Sequence, residues 1–160
     1  MGKTEMQNSI NNYLSRINDN YSEVSELEKK ISNIEKEIGT HNVAIGCVSS
    51  FFVKKRNTIN KIDSLDMSRS SVSFIEASLD VYGNGTENTI ISKENNIIGY
   101  LQNNIDKLYE RIKELEYENY NLENMITSCN DQIAEIEKEE AESDTKKNNS
   151  NSSGESKWKI

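Results

Sequence analysis

The sequence contains no proline at all. Proline costs a helix interior roughly 3 kcal/mol, because it removes a backbone donor and clashes with the preceding turn. A chain of ordinary loops would carry about 5% of it, so its absence across 160 residues fits long uninterrupted helices. Apolar residues are scarce too, at 34%, with aromatics at 7%. That is too little for a compact globular core of this length, whereas an elongated helical seam needs fewer apolar residues per turn. Basic residues are outnumbered, 19 Lys and Arg against 27 Asp and Glu, for a formal net charge of −8. Phosphate binding needs a basic face, so nucleic acid is excluded as a main partner. The one basic run, Lys54, Lys55 and Arg56, reads as a solvated helix face.

Chemistry-bearing residues are equally thin. Cys47 and Cys129 stand far apart without a CxxC or Cys/His companion. They exclude a disulfide framework and read as buried thiols acting as small apolar groups. His41 is the single histidine and has no ligand or acid–base constellation around it. The pair Gly83 and Gly85 has no Lys-Ser/Thr after it and no strand before it, which excludes a phosphate loop. No catalytic, cofactor-binding or metal-binding residue is assigned, no cofactor is implied, and the chain is not expected to be an enzyme. Carboxylates are plentiful, but they line outer helix faces, and a two-helix arrangement barely provides a pocket.

Membrane signals are missing as well. The most apolar stretch, Val43 to Val53, is about half a membrane span. The polar N-terminus lacks an apolar signal region, and Met6 stands where myristoylation requires Ser or Thr. These features predict a soluble cytoplasmic chain with no membrane insertion, and leave open export by a route needing no cleaved signal.

What the chain does have is helical periodicity. After a polar segment 1–9, read as flexible, a stripe runs Ile10, Leu14, Ile17, Tyr21, Val24, Leu27, Ile31, Ile34, Ile38. Steps of three and four mark one apolar helix face, and the two successive steps of three after Tyr21 read as a stammer. The stripe continues through His41, Ile45, Val48, Phe52, Ile59 and Ile62 to about residue 64. Gly39, Ala44, Gly46, Cys47, Ser49 and Ser50 beside it read either as a tight contact zone or as a weak spot in the helix. A break with a Ser cap near Asp66 to Ser71 precedes a short helix at about 70–80 that carries Phe74. Tyr82-Gly-Asn-Gly-Thr-Glu87 is the strongest turn signal, because Gly and Asn tolerate positive φ. A turn at 82–88 and a helix over about 89–140 follow, then a Ser/Asn/Lys-rich tail, 141–160, read as disordered.

The second long helix carries a nearly unbroken heptad. Its a positions are Ile98, Ile105, Ile112, Asn119, Ile126 and Ile133, and its d positions Leu101, Leu108, Leu115, Leu122, Cys129 and Ile136. Ile at a with Leu at d favours a parallel two-stranded coil, and a lone Asn at an a site fixes register. The layout favours a different partner. Two long stripes flanking a turn bury both seams within one chain, where effective concentration is highest. The fold expected is therefore all-α: a long antiparallel helical hairpin with a short helix and turn at its tip. Phe74, Tyr82, Tyr109, Tyr117 and Met125, with Ile97, are left over for a partner. That partner is another helical protein, or a second copy in a parallel homodimeric scaffold or tether.

The long N-terminal helix, the glycine-containing turn around Tyr82-Gly83-Asn84-Gly85, the long C-terminal helix and the Lys/Asn/Ile-rich composition together resemble the helical hairpins of type VII secretion. These are the WXG100-like proteins and the small accessory partners of LXG-domain toxins. The resemblance implies a non-catalytic adaptor, or targeting chaperone, that packs on a toxin's helical domain and presents it for export.

Overall fold

In the computed structural model, which describes residues 2–63 and 69–152, every element is an α-helix. They are α1 (Lys3–Asp63), α2 (Arg69–Tyr82) and α3 (Asn84–Ser152). The expected break at Asp66 to Ser71 lies largely outside the described residues, as do tail residues 153–160; residues 141–152, expected to be disordered, instead continue α3 as helix. The chain divides into two units, and in each a stretch of α1 pairs antiparallel with a stretch of α3. The all-α class and the antiparallel hairpin expected from the two stripes are what the structure has.

The first unit comprises Met1–Ser25 and Ile112–Ile160. Helix α1 starts at Lys3, earlier than the apolar stripe alone suggested, because Met6 is buried and extends the seam by one step. The Gly2 amide donates to Glu5 Oε2 at 2.9 Å, satisfying one of the donors that every helix start leaves free. Met6, Ile10 and Ile17 from α1 are buried, as are Ile112, Leu115 and Leu122 from α3, with Leu115 only 1% exposed. Antiparallel pairing is read from Lys3 with Glu137, 2.5 Å apart, and Asn20 with Asn119.

The actual stripe differs from the apolar reading at two places. Tyr21 is 56% exposed and Leu14 is exposed, while Asn20 is buried and Tyr13 half-buried. The inward residues are therefore Met6, Ile10, Tyr13, Ile17, Asn20 and Val24, spaced four, three, four, three, four. No stammer exists. It was produced by forcing an apolar residue onto a slot that asparagine fills.

The second unit is Glu26–Arg111. Its core holds Leu27, Ile31, Phe52 and Ile59 from α1, Ile75 from α2 and Ile105 from α3. Phe51, Phe52 and Tyr82 form an edge-to-face cluster with ring centroids 5.6 to 6.2 Å apart, and the Lys55 ammonium lies 5.5 Å from the Phe51 ring centre. The link between α2 and α3 is the single residue Gly83, tighter than the predicted 82–88 turn. No described glycine has positive φ, so positive φ is not what requires glycine here. A Cβ on Gly83 would instead lie 2.8 Å from the Leu79 carbonyl oxygen. A Cβ on Gly39 or Gly46 would meet nothing within 4 Å, so within the described chain the small-residue stretch is not a tight contact zone. Cys47, expected to be buried, is exposed, and Cys129 is half-buried; both are free.

Candidate interaction faces

Two kinds of face matter for a helical protein: the one it spends on itself and the one it leaves over. The predicted seam on α3 faces inward along its length. In the first unit Ile112, Leu115, Asn119 and Leu122 are buried, and Ile126, Cys129, Ile133 and Ile136 are half-buried. In the second unit Ile105 is buried and Ile98, Leu101 and Leu108 are half-buried.

The seam also contains polar members that an apolar count misses. Extending the heptad spacing back from Ile98 reaches Glu94, Ile91 and Glu87, all buried or half-buried. Each polar seam residue meets a counterpart on α1. In the first unit Asn20 Nδ2 donates to Asn119 Oδ1 at 2.8 Å in a buried setting. In the second, Arg56 donates to Glu87 Oε2 at 2.5 Å, and His41 Nδ1 lies 2.5 Å from Glu94 Oε2. The signal was in the sequence for all of these but Arg56: Asn20, Glu87, Glu94 and Asn119 occupy strict heptad slots and His41 already stood on the stripe, whereas the slot after Phe52 falls on Lys55 and Arg56 lies one residue beyond it.

These pairs specify register. Sliding either helix by one turn would bury Asn119 or Glu87 against hydrocarbon, and an unpaired buried polar group costs about 1–3 kcal/mol, more if charged. Asn119 is not tolerated at an edge; it is 4% exposed, and its amide nitrogen has no acceptor among the described residues. The outer ion pairs matter less. Arg16 pairs with Glu118 and Lys3 with Glu137, both with largely solvated cations. The hydrogen bond to Glu137, and then that carboxylate's charge, hold the Lys3 ammonium above its ordinary value.

The second kind of face is apolar and open. Tyr109, Tyr117, Met125, Ile97 and Phe74 are all exposed, with Tyr117 and Phe74 each at 68%. Tyr82 is half-buried and belongs to the internal aromatic cluster. The structure adds others: Val43, Phe51 and Val53 on α1, Val72, Leu79 and Val81 on α2, and Tyr100 and Tyr120 on α3. In the second unit a groove of about 500 Å³ is lined by Lys30, Asn33, Ile34, Asn104, Lys107 and Leu108. Among the described residues no group of three His, Cys, Asp or Glu could hold a metal ion, and no helix is long and apolar enough to cross a membrane.

The described chain is all-α, pairs stretches of α1 and α3 through register-setting polar contacts, and leaves large apolar side chains in solvent. The family model described as MIS13, the Mis12-Mtw1 protein family, matches residues 16–157. The chain belongs to this family, whose members are subunits of the kinetochore MIND complex. No similar curated protein and no similar solved structure is found. Membership means that the chain partners with other protein subunits in a complex.

The family corrects three expectations. The likeness to WXG100 and LXG-associated proteins was one of layout, and the family match overturns it. A role as adaptor for a secreted toxin falls with it, and the α3 seam offered for a parallel homodimer is buried or half-buried within the chain itself. The predicted cytoplasmic location with possible export gives way to the kinetochore, and thus nuclear, setting of the family.

Proposed function

We propose that this chain is a non-catalytic subunit of a kinetochore complex of the MIND type, and that it joins its partners by helix–helix packing. The observation that carries the reading is the family match, which runs from residue 16 to 157 and so takes in most of all three helices. The exposed apolar residues are compatible with it: Val72, Phe74, Leu79, Val81, Tyr100, Tyr117 and Tyr120 stand in solvent, where partner helices would cover them. The internal polar pairs support it from the other side, since a subunit with fixed register offers partners a preformed surface and lowers the ordering cost of assembly.

The test is affinity purification of the tagged chain, expressed from its own locus in dividing cells. The reading expects the remaining subunits of a MIND-type complex to co-purify in near-stoichiometric amounts. Recovery of the chain alone, or with unrelated proteins only, contradicts it.

A further inference from the structure

Helix α2 has a wider apolar arc than its own chain covers. Ile75 is 4% exposed and anchors the helix in the second unit. On either side of that anchor, large apolar residues stand in solvent: Val72 at 44% and Leu79 at 40% on one flank, Phe74 at 68% and Val81 at 58% on the other. Residues seven apart lie nearly in line at about 3.6 residues per turn, so each flank aligns two apolar side chains about 10 Å apart along the axis. A helix with an apolar arc of this width is one that sits among neighbours on more than one side.

The two flanks differ in charge, and one of them specifies its occupant. Glu76 stands four residues after Val72 and three before Leu79, and Asp80 four after Glu76, which places both carboxylates along the outer edge of the first stripe. Both carboxylate residues are exposed, and neither has an ion-pair partner among the described residues. The Phe74–Val81 flank is interrupted only by Ala77 and Ser78 and carries no charge that selects an occupant.

We infer that the Val72–Leu79 stripe of α2 is a docking surface for an amphipathic helix of another subunit, one whose apolar stripe is rimmed by Lys or Arg. The inference rests on the subunit reading above and names the place and partner chemistry that reading leaves open. Two apolar anchors supply the contact area, and Glu76 and Asp80 select a basic rim and reject an acidic one. A second copy of this chain is the poorer occupant. Its net charge is −8, and a two-fold contact through the same stripe would set Glu76 and Asp80 against their own copies.

The probe is a labelled synthetic helical peptide with a leucine stripe flanked by lysines, together with a twin flanked by glutamates. Each is titrated by fluorescence anisotropy into the full-length chain. The lysine peptide should bind at least about tenfold tighter than the glutamate peptide, a difference of about 1.4 kcal/mol. Val72→Gln with Leu79→Gln should weaken it about tenfold or more, and Glu76→Lys with Asp80→Lys should reverse the preference. These side chains are exposed, so helical circular dichroism should be unchanged. Asn42→Ala, on exposed α1 surface, should bind as wild type.

Any of four results overturns the inference: no binding of the lysine peptide, wild-type binding by the Val72/Leu79 variant, a preference that survives charge reversal, or a sedimenting dimer of the chain that the Val72/Leu79 variant dissolves. Purification from cells separates this from the functional reading. If wild type and the Val72/Leu79 variant both bring down every MIND-type subunit, the α2 surface is wrong and the subunit reading stands. If wild type brings none, the subunit reading falls, and the peptide titrations still decide the surface.

Discussion

Asn20 and Asn119 are buried against each other at 2.8 Å, and single and double substitutions there should behave differently. Asn119→Ala leaves the Asn20 amide buried without a partner and should destabilise the first unit by about 1–3 kcal/mol. Replacing both with leucine removes the orphaned groups together and should be neutral or stabilising in urea unfolding, at the expense of unique register. A double variant as unstable as the sum of the singles would contradict the pairing. Gly83 gives a second contrast. Gly83→Ala forces a methyl against the Leu79 carbonyl and should cost on the order of 1–3 kcal/mol. Gly46→Ala, inside α1 with open space around it, should stabilise by up to about 1 kcal/mol. Thermal melts of the two variants should therefore shift in opposite directions.

At the scale of the elements, the apolar half of each seam was legible in the sequence and the polar half only in part, through His41 and Asn119. The run from Ile98 to Ile136 is read correctly because Ile and Leu recur at heptad spacing without interruption. Asn20, Glu87 and Glu94 hold strict heptad positions, but a stripe of apolar residues alone does not mark them. Tyr21 was drawn into the stripe for the same reason. The Gly83 link was located correctly but explained by positive φ, whereas close approach to Leu79 is what excludes a side chain. Arg56 and Glu87 test the polar half most directly, since Glu87 is buried and Arg56 is its ion-pair partner. Arg56→Met should lower the stability of the second unit by about 1–3 kcal/mol, because a carboxylate is left desolvated. Glu87→Gln in that background should restore part of the loss. The absence of any rescue would show that Arg56 acts through packing alone.

The whole molecule is a case where the fold is written in periodicity and the biological setting is not. Antiparallel helical pairing follows from two apolar stripes and a glycine turn, and many unrelated proteins share that plan, so layout led to bacterial secretion as readily as to any other assembly. The kinetochore family is identified by a match over residues 16–157, which helical periodicity alone does not reveal. Tyr109, Tyr117, Met125 and Phe74 are exposed as their positions in the sequence suggest, while the Val72–Leu79 stripe is evident only from the burial of Ile75 between the two flanks of α2. The central claim, that this chain is a helical subunit of a kinetochore complex, is tested most directly by imaging the fluorescently tagged chain in living cells through mitosis. Discrete foci coincident with centromeric chromatin are predicted; diffuse signal throughout division, or accumulation outside the cell, would contradict it.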